Sequence, residues 1–210
     1  MMDDDAVYKV CRAELDLEDP WGVPACARRV PLVRAGDGAA PRLSSEVAAY
    51  HDGRRVFVVF SVRDDHLVAT HLEHDAPLWE EDVVEIFVAP ESLERYFEIE
   101  VNPLGTTFDA RVDSPRLERE SMTVDRGWTC EGLRTAIRRT TIDGVVRVET
   151  VVLIPSAALG ASCDSGTLWR ANFYRIDRSP DGDEFSAWRP TGRTPPDFHV
   201  PRAFGTLLFE

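Results

Sequence analysis

Apolar and polar side chains alternate along much of this chain, with the two-residue period of a β-strand. In residues 96–101 the alternation is strict: Phe97, Ile99 and Val101 share one face of the predicted strand, and Tyr96, Glu98 and Glu100 share the other. A β-sandwich buries one face of each sheet between its layers. This segment therefore predicts a strand with an apolar inner face and a second face that carries carboxylates.

The same patterns predict further strands, separated by turns at intervals of about 8–12 residues. They cover residues 56–62, 67–71, 83–88, 106–112, 133–139, 145–154, 169–176 and 206–209. The Asp143-Gly144 dipeptide predicts a hairpin between two of them. Helical signals are limited to residues 155–160, which end at a glycine, and to residues 92–95. About ten short strands with little helix predict an all-β fold, a β-sandwich of jelly-roll type.

No change of pattern divides the chain, so we predict a single domain over residues 8–210, preceded by an acidic N-terminal tail over residues 1–7. The 37 acidic residues outnumber the 24 basic ones and give a net charge of −13. A surface of this sign repels nucleic acid and anionic lipid, which excludes both as expected partners.

The sequence contains no apolar run of the ~20 residues that a membrane span requires. Its N-terminus, Met-Met-Asp-Asp-Asp, lacks the basic and apolar regions of a secretory signal. The sequence as it stands therefore predicts a cytoplasmic protein, with export as the alternative if an N-terminal signal is missing from it.

The four cysteines are Cys11, Cys26, Cys130 and Cys163, and none belongs to a C-x-x-C pair. This spacing disfavours a thiolate zinc site, and four cysteines in 210 residues do not indicate a disulfide scaffold. We expect separate reduced thiols, with a Cys11–Cys26 bridge as the alternative in an exported protein.

The segment Pro77-Leu78-Trp79-Glu80-Glu81-Asp82-Val83-Val84-Glu85 carries the strongest candidate chemistry. Trp79 follows a proline turn, and Glu85 lies within a predicted strand, where burying an ionised carboxylate costs several kcal/mol without a partner. A flat aromatic ring beside fixed carboxylates suits a sugar, whose C–H face stacks while its hydroxyls donate to the acids. Phe198 also lies in a proline-flanked loop, where an aromatic side chain is available for contact.

Other site chemistries follow from the acidic residues. Glu98 and Glu100 are two apart on one strand face, about 7 Å from each other, a spacing compatible with the paired carboxylates of glycoside cleavage. Asp64-Asp65 lies in a turn and could contribute to a structural calcium site, against the alternative of an aspartate-rich turn without metal. No other cofactor is expected, because the chain has no nucleotide-binding loop or nucleophile motif.

Taken in order, several segments resemble the carbohydrate-binding module family 9-like domains, from about Tyr8 to Phe209. They are Arg55-Val56-Phe57-Val58-Val59-Phe60, residues 77–87 (Pro-Leu-Trp-Glu-Glu-Asp-Val-Val-Glu-Ile-Phe), residues 96–105 (Tyr-Phe-Glu-Ile-Glu-Val-Asn-Pro-Leu-Gly), residues 169–175 (Trp-Arg-Ala-Asn-Phe-Tyr-Arg), Ser186-Ala187-Trp188 and residues 197–205 (Asp-Phe-His-Val-Pro-Arg-Ala-Phe-Gly). The resemblance implies a jelly-roll sandwich that binds a mono- or oligosaccharide without catalysis.

The resemblance also implies residue roles. Trp79 and Phe198 match the two aromatics that clamp a terminal sugar, and Glu85 matches a glutamate that binds its hydroxyls. Glu100 falls where sugar-binding members carry an arginine, and Tyr174 falls near an amide-bearing position. The predicted ligand-binding residues are Trp79, Glu85, Glu100, Asn172, Tyr174, Arg175 and Phe198.

Three alternatives to sugar binding remain at the level of the sequence. The first is a family 9-like sandwich without a sugar site, acting as an interaction or structural domain. The second is a glycoside-cleaving enzyme using Glu98 and Glu100. The third is a haem-binding sandwich related to DOMON domains, with Met122 as an axial ligand.

Overall fold

A computed structural model describes residues 7–14 and 19–210 of the chain. The acidic residues of the predicted N-terminal tail lie outside this range. The strands are β1 (Val7–Arg12), β2 (Val30–Pro31), β3 (Val33–Arg34), β4 (Ser45–His51), β5 (Arg55–Asp64), β6 (Val83–Ser92), β7 (Arg95–Val101), β8 (Thr107–Asp113), β9 (Thr123–Asp125), β10 (Arg134–Ile142), β11 (Val145–Pro155), β12 (Leu168–Asp177), β13 (Glu184–Ala187) and β14 (Gly205–Phe209).

The strands form two sheets. The first has the order β14-β12-β6-β7-β8-β9, with β13 beside β12 and β3 beside β13. The second has the order β10-β11-β5-β4, with β2 also beside β4. Strand β1 joins the two, because its first residues pair in parallel with β14 and its last residues pair in parallel with β4. The prediction of an all-β sandwich is confirmed, with 14 strands in the described part of the chain in place of about ten.

The main core lies between the two sheets. It combines side chains of the first sheet, such as Ile86, Ile99 and Phe173, with side chains of the second, such as Phe60 and Val152. The strict alternation of residues 96–101 is present as predicted, since the odd-numbered apolar side chains face this core. Their neighbours therefore point to the outer face of the first sheet.

The outer face of the first sheet carries a second apolar cluster. Its aromatic members include Phe87, Tyr96, Phe108 and Tyr174. Loops cover this face and bury these rings. The outer face is therefore partly closed, and polar groups placed on it are shielded from water.

Two local predictions are wrong and one is confirmed. Residues 67–71 form no strand, because their backbone N–H groups donate to side chains: Val68 to Asp82 and Thr70 to Glu81, each at 2.5 Å. Residues 92–95 form the β6–β7 hairpin turn rather than a helical turn. Residues Ser156–Leu159 do form one 3₁₀ turn, which ends at Gly160 with a φ of 68°.

The expectation of four reduced cysteines is wrong for one pair. Cys11 and Cys26 form a disulfide, with Cα atoms 6.0 Å apart. Cys130 and Cys163 are free and buried. The expectation of reduced thiols rested on the number and spacing of the cysteines in the sequence, whereas the fold places Cys11 at the end of β1 directly beside the segment that carries Cys26.

The disulfide fastens a loop over the outer face of the second sheet. Trp21 and Val23 of this loop pack against a cluster that includes Tyr50 and Phe57. Arg138 of β10 lies over the Trp21 ring, 4.6 Å from its centroid. The second sheet is thus covered, whereas the first sheet keeps an open cleft on its outer face.

Within residues 7–14 and 19–210, no helix is both long and apolar enough to cross a bilayer.

Candidate functional site

Strand register builds a row of four side chains across the outer face of the first sheet. Tyr174 of β12 lies opposite Glu85 of β6, Glu85 opposite Glu100 of β7, and Glu100 opposite Phe108 of β8. Neighbouring strands are about 4.8 Å apart, so the two aromatic residues stand roughly 14 Å apart with both carboxylates between them. The sheet itself therefore fixes two acids between two rings.

A third carboxylate joins this pair. Glu98 lies two residues before Glu100 on β7 and projects from the same face. One carboxylate oxygen from each of Glu85, Glu98 and Glu100 lies within 4.8 Å of the others. Their residues are only 2%, 6% and 0% exposed. We call this group the glutamate cluster.

The two aromatic residues predicted as a clamp stand on either side of the glutamate cluster. Phe198 stacks on Tyr174, with ring centroids 4.2 Å apart and an interplanar angle of 13°. Trp79 meets Phe108 edge-on, with centroids 5.3 Å apart at 81°. Trp79, Phe198 and the glutamate cluster line one cleft with a volume of about 360 Å³.

Cationic side chains form part of the same cleft. The Arg126 guanidinium lies 5.1 Å from the centroid of the Trp79 ring, within reach of a cation–π interaction. Arg119 and Arg178 also line the cleft. Arg119 is paired with Asp197 at 2.7 Å, and Arg178 donates to the backbone oxygen of Trp79 and to Asp183.

Burial dominates the protonation of the glutamate cluster. It raises the pKa of Glu98 to about 7. Burial also raises the pKa values of Glu85 and Glu100 well above their usual range, and the neighbouring carboxylates raise both further. When Glu100 is ionised, it accepts no hydrogen bond from any described residue. When one proton is shared between Glu98 and Glu100, it forms a hydrogen bond between the two carboxyl groups.

His199 closes one side of the cluster. Its Nδ1 lies 2.8 Å from the Tyr96 hydroxyl, and its Nε2 lies 3.8 Å from Glu98 Oε1. Burial lowers the pKa of His199 to about 4, and the nearby Arg119 adds to this effect. The imidazole is therefore neutral at pH 7 and does not compensate the charge of the cluster.

These shifts predict that stability falls as pH rises above 6.5. Above about pH 4.5, each carboxyl with a raised pKa keeps its proton in the folded protein and loses it in the unfolded protein. Its contribution to the free energy of unfolding is therefore complete below about pH 4.5 and is lost as the pH rises through the folded pKa. His199 acts in the opposite direction, but only between its folded value of about 4 and its unfolded value of 6.5. Urea unfolding in EDTA from pH 6.5 to 8 should show a loss of about 1.4 kcal/mol per pH unit for each carboxyl that stays protonated in the folded state.

Glu100→Gln is the matched control for this pH dependence. It removes one buried carboxyl and keeps its shape, so the variant should be less sensitive to pH and more stable than the parent at pH 8. A free energy of unfolding that stays constant or increases from pH 6.5 to 8 in the parent would contradict the expectation.

The acids that follow Trp79 in sequence hold its loop in place. Glu81 accepts hydrogen bonds from the backbone N–H and the hydroxyl of Thr70, both at 2.5 Å. Asp82 accepts from the backbone N–H groups of Val68 and Arg178, at 2.5 and 2.7 Å. These contacts connect the Trp79 loop to two neighbouring segments and position its ring.

The predicted ligand-binding residues divide into two groups. Trp79, Glu85, Glu100 and Phe198 all line the cleft. Tyr174 lies beneath it: its ring supports Phe198, and its hydroxyl donates to the Phe198 carbonyl at 3.0 Å. The structure thus brings together the predicted aromatic pair and two acids, with Tyr174 as their support.

Asn172 and Arg175 are not brought to the cleft. The Asn172 amide is fully buried and pairs with the backbone of Arg189, donating at 2.8 Å and accepting at 2.9 Å. Arg175 projects from the opposite face of β12. There it donates to Ser45 and Asp64 at 2.9 and 3.0 Å.

Arg175 also forms ion pairs with acids at and near the candidate calcium turn. Asp64, Asp82 and Asp177 have oxygens within 4.8 Å of one another. Arg175 lies among them, with its Nη2 3.0 Å from Asp64 and 3.2 Å from Asp177. Asp65, the other member of the predicted turn, pairs instead with Arg42 at 2.5 Å.

Sequence reasoning missed several residues of the cleft. Phe108 could have been found, since it alternates in phase with Ala110 and Val112 on β8. Arg126 and Arg178 come from loops, and His199 lies next to Phe198. Their approach to the glutamate cluster depends on loop paths that no periodic pattern specifies.

A larger depression, of about 590 Å³, lies by the β6–β7 hairpin and includes Trp128. Both of its arginines are already paired, since Arg95 contacts Asp113 at 2.6 Å and Arg111 contacts Asp125 at 2.8 Å. The Trp79 cleft is the better candidate because it combines flanking rings with buried carboxylates, of which Glu100 has no donor among the described residues.

The fold and the cleft define a β-sandwich binding module with its candidate site on the outer face of one sheet. Residues 37–209 match the model of the family described as carbohydrate-binding family 9, so this chain belongs to that family. Its domains are non-catalytic binding modules, as predicted here, and this replaces the glycoside-cleaving alternative. No curated protein sequence matches the chain.

Solved structures share the fold. A protein of proposed carbohydrate-binding function from Bacteroides uniformis ATCC 8492 has a TM-score of 0.77 at 24% identity, covering 97% of this chain and 99% of its own. A family 9 module from Caldicellulosiruptor kristjanssonii, in complex with cellotriose, has a TM-score of 0.61 at 14% identity, covering 97% and 93%. Its glucose complex gives the same score and identity, covering 97% and 95%.

Proposed function

We propose that this protein binds one sugar unit of a mono- or oligosaccharide in the cleft between Trp79 and Phe198. The observation that carries the proposal is the row across the first sheet, in which Glu85 and Glu100 lie between Tyr174 and Phe108. The two candidate clamp rings pack against the ends of this row. Hydrogen-bond acceptors thus lie at the floor of the cleft and aromatic faces at its sides.

Each part of the cleft suits one part of a sugar. The C–H face of the ring would stack on Trp79 or Phe198, a contact that contributes about 1 kcal/mol by analogy with other aromatic pairs. Sugar hydroxyls would donate to Glu85 and Glu100. Both carboxylate oxygens of Glu100 are free to accept, because no described residue donates to them. A small number of contacts of this size gives a dissociation constant in the micromolar to millimolar range.

The related family 9 module provides the first ligands to test. It was solved with cellotriose and with glucose, so a panel should begin with glucose, cellobiose and cellotriose and extend to other neutral sugars. Arg126 lies over the Trp79 ring in the free protein, and a stacked sugar would replace it or share the ring with it.

Trp79→Ala should weaken saccharide binding at least about tenfold, since it removes one wall of the cleft. Isothermal titration calorimetry with the panel checks this expectation. Trp21→Ala is the matched control, because Trp21 lies over the second sheet, away from the cleft, and its loss should leave affinity unchanged. The proposal fails if no sugar of the panel binds the parent, or if both variants bind as the parent does.

A further inference from the structure

We propose that the glutamate cluster holds one divalent cation that prefers oxygen ligands, of the Ca²⁺ type, at the floor of the cleft. The inference goes beyond saccharide binding and does not depend on it. It rests on the spacing of three carboxylates, on an acid without a partner, and on a comparison with the other acidic groups of the fold.

The spacing of the cluster fits a single ion. Ca²⁺ binds carboxylate oxygens at about 2.3–2.6 Å, so two ligands on opposite sides of the ion lie at most about 5 Å apart. One oxygen from each of Glu85, Glu98 and Glu100 lies within 4.8 Å of the others. Three carboxylates supply up to six of the six to eight oxygens that Ca²⁺ takes.

The second observation is the state of Glu100. Its residue is 0% exposed, it lines the cleft, and both of its carboxylate oxygens lack a hydrogen-bond donor among the described residues. An ionised carboxylate left in this condition costs several kcal/mol, because burial removes its water and nothing replaces it. A cation at the cluster would supply the missing partner.

The arginines of the cleft do not fill this role. Arg119 is occupied by Asp197, and Arg178 by Asp183 and the Trp79 carbonyl. Arg126 lies over the Trp79 ring and reduces the pKa rise of Glu98 and Glu100 only through a longer-range attraction. The cluster therefore remains short of direct positive partners.

A second acidic group contains a positive partner that the described residues do not place within the glutamate cluster. Asp64, Asp82 and Asp177 are as closely spaced and as buried as the three glutamates. Arg175 pairs with two of them, and both oxygens of Asp82 accept backbone N–H groups. Among the described residues, the glutamate cluster has the same spacing but no arginine paired with its carboxylates, and Glu100 accepts no hydrogen bond.

The volume of the cleft leaves space for further ligands of the ion. About 360 Å³ accommodates several waters beside the carboxylates. Mg²⁺ demands a tight octahedron at about 2.0–2.1 Å, whereas Ca²⁺ accepts irregular carboxylate sets. We therefore expect Ca²⁺ to bind more tightly than Mg²⁺.

Calorimetric titration of CaCl₂ into EDTA-treated, dialysed protein, without saccharide, tests the proposal. One Ca²⁺ should bind per chain, and Glu100→Gln or Glu85→Gln should weaken the affinity at least tenfold. Asp75→Asn is the matched control: Asp75 is an exposed member of a separate group with His74 and Asp109, and its substitution should leave the affinity unchanged. Circular dichroism verifies that each variant is folded.

Several outcomes would overturn the inference. These are the absence of Ca²⁺ binding at millimolar concentration, binding that survives both glutamate substitutions, and binding lost in Asp75→Asn alone. Binding of glucosamine without binding of Ca²⁺ would also overturn it and would assign the cluster to an ammonium group. Since the CaCl₂ titration contains no sugar, failure of saccharide binding leaves its result unaffected.

Discussion

Arg175→Met should destabilise the protein by about 3–5 kcal/mol, the cost of leaving buried charges without their partner. The Arg175 side chain is 3% exposed and reaches from β12 to Asp64 at the end of β5. It also contacts Asp177 at 3.2 Å and Ser45 at 2.9 Å. Methionine retains most of the volume but none of the charge, so buried Asp64 would lose its ion pair with Arg175 and Asp177 would keep only its contact with Arg42.

Urea unfolding at pH 7 measures this loss. Arg42→Met is the matched control, because the Arg42 side chain is 34% exposed and pairs with Asp65 and Asp177 near the surface. That substitution should cost about 1 kcal/mol or less. Equal losses of stability in the two variants would contradict the prediction that the buried ion pairs of Arg175 matter more than the exposed ones of Arg42.

Removing the Cys11–Cys26 disulfide should cost about 3 kcal/mol, the loop-closure entropy expected for a 15-residue separation. The double variant Cys11→Ser/Cys26→Ser removes the disulfide without leaving a reactive thiol at the site. The loss would free the loop that carries Trp21 from the outer face of the second sheet. Thermal and urea unfolding should both detect it.

Reduction provides the control for the disulfide. A reducing agent should destabilise the parent by a similar amount and leave the double serine variant unchanged, because Cys130 and Cys163 are already free. A parent that is insensitive to reduction, with its disulfide shown to be open by mass spectrometry, would contradict the expectation.

The disulfide also bears on where the protein acts. Disulfides persist in oxidising compartments and are rare in the cytosol. We therefore propose the exported alternative for this chain over the cytoplasmic one. The proposal is supported by the Cys11–Cys26 pair.

Alternation along the strands predicted the most useful part of the site. It placed Glu98 and Glu100 on the face opposite Phe97 and Ile99, and the register then brings Glu85 beside Glu100. A period of two leaves each side chain only two directions, so a correct strand assignment gives the face directly. Which strand lies beside which is a long-range property that the pattern does not contain.

The prediction of Arg175 as a ligand-binding residue went against the alternation along β12. On β12 the odd-numbered residues Ala171 and Phe173 face the core between the sheets, and Arg175 continues that face. Asn172 does lie on the same face as Tyr174, but its amide is occupied by the backbone of Arg189. The type of a residue and its place on a strand do not reveal local hydrogen bonding of this kind.

Strands β1 and β4 were missed for different reasons. In β4, Ala48 and Ala49 weaken the β-branched signal, although all of its residues from Val47 to His51 are buried. In β1, six residues alternate only in part, and the strand is stabilised by parallel pairing with segments about 40 and 200 residues away. Such pairing leaves no mark in a local window.

The position of β1 determines how the domain would respond to a pulling force applied at its two ends. Val7–Val10 and Thr206–Phe209 run in parallel as neighbours, so tension toward the two termini would draw the strands past each other lengthwise. All hydrogen bonds of the pair would then carry the load together instead of opening one by one. Parallel pairing of β1 with β14 thus predicts that the domain resists stretching between its two ends more strongly than a pair that opens one bond at a time.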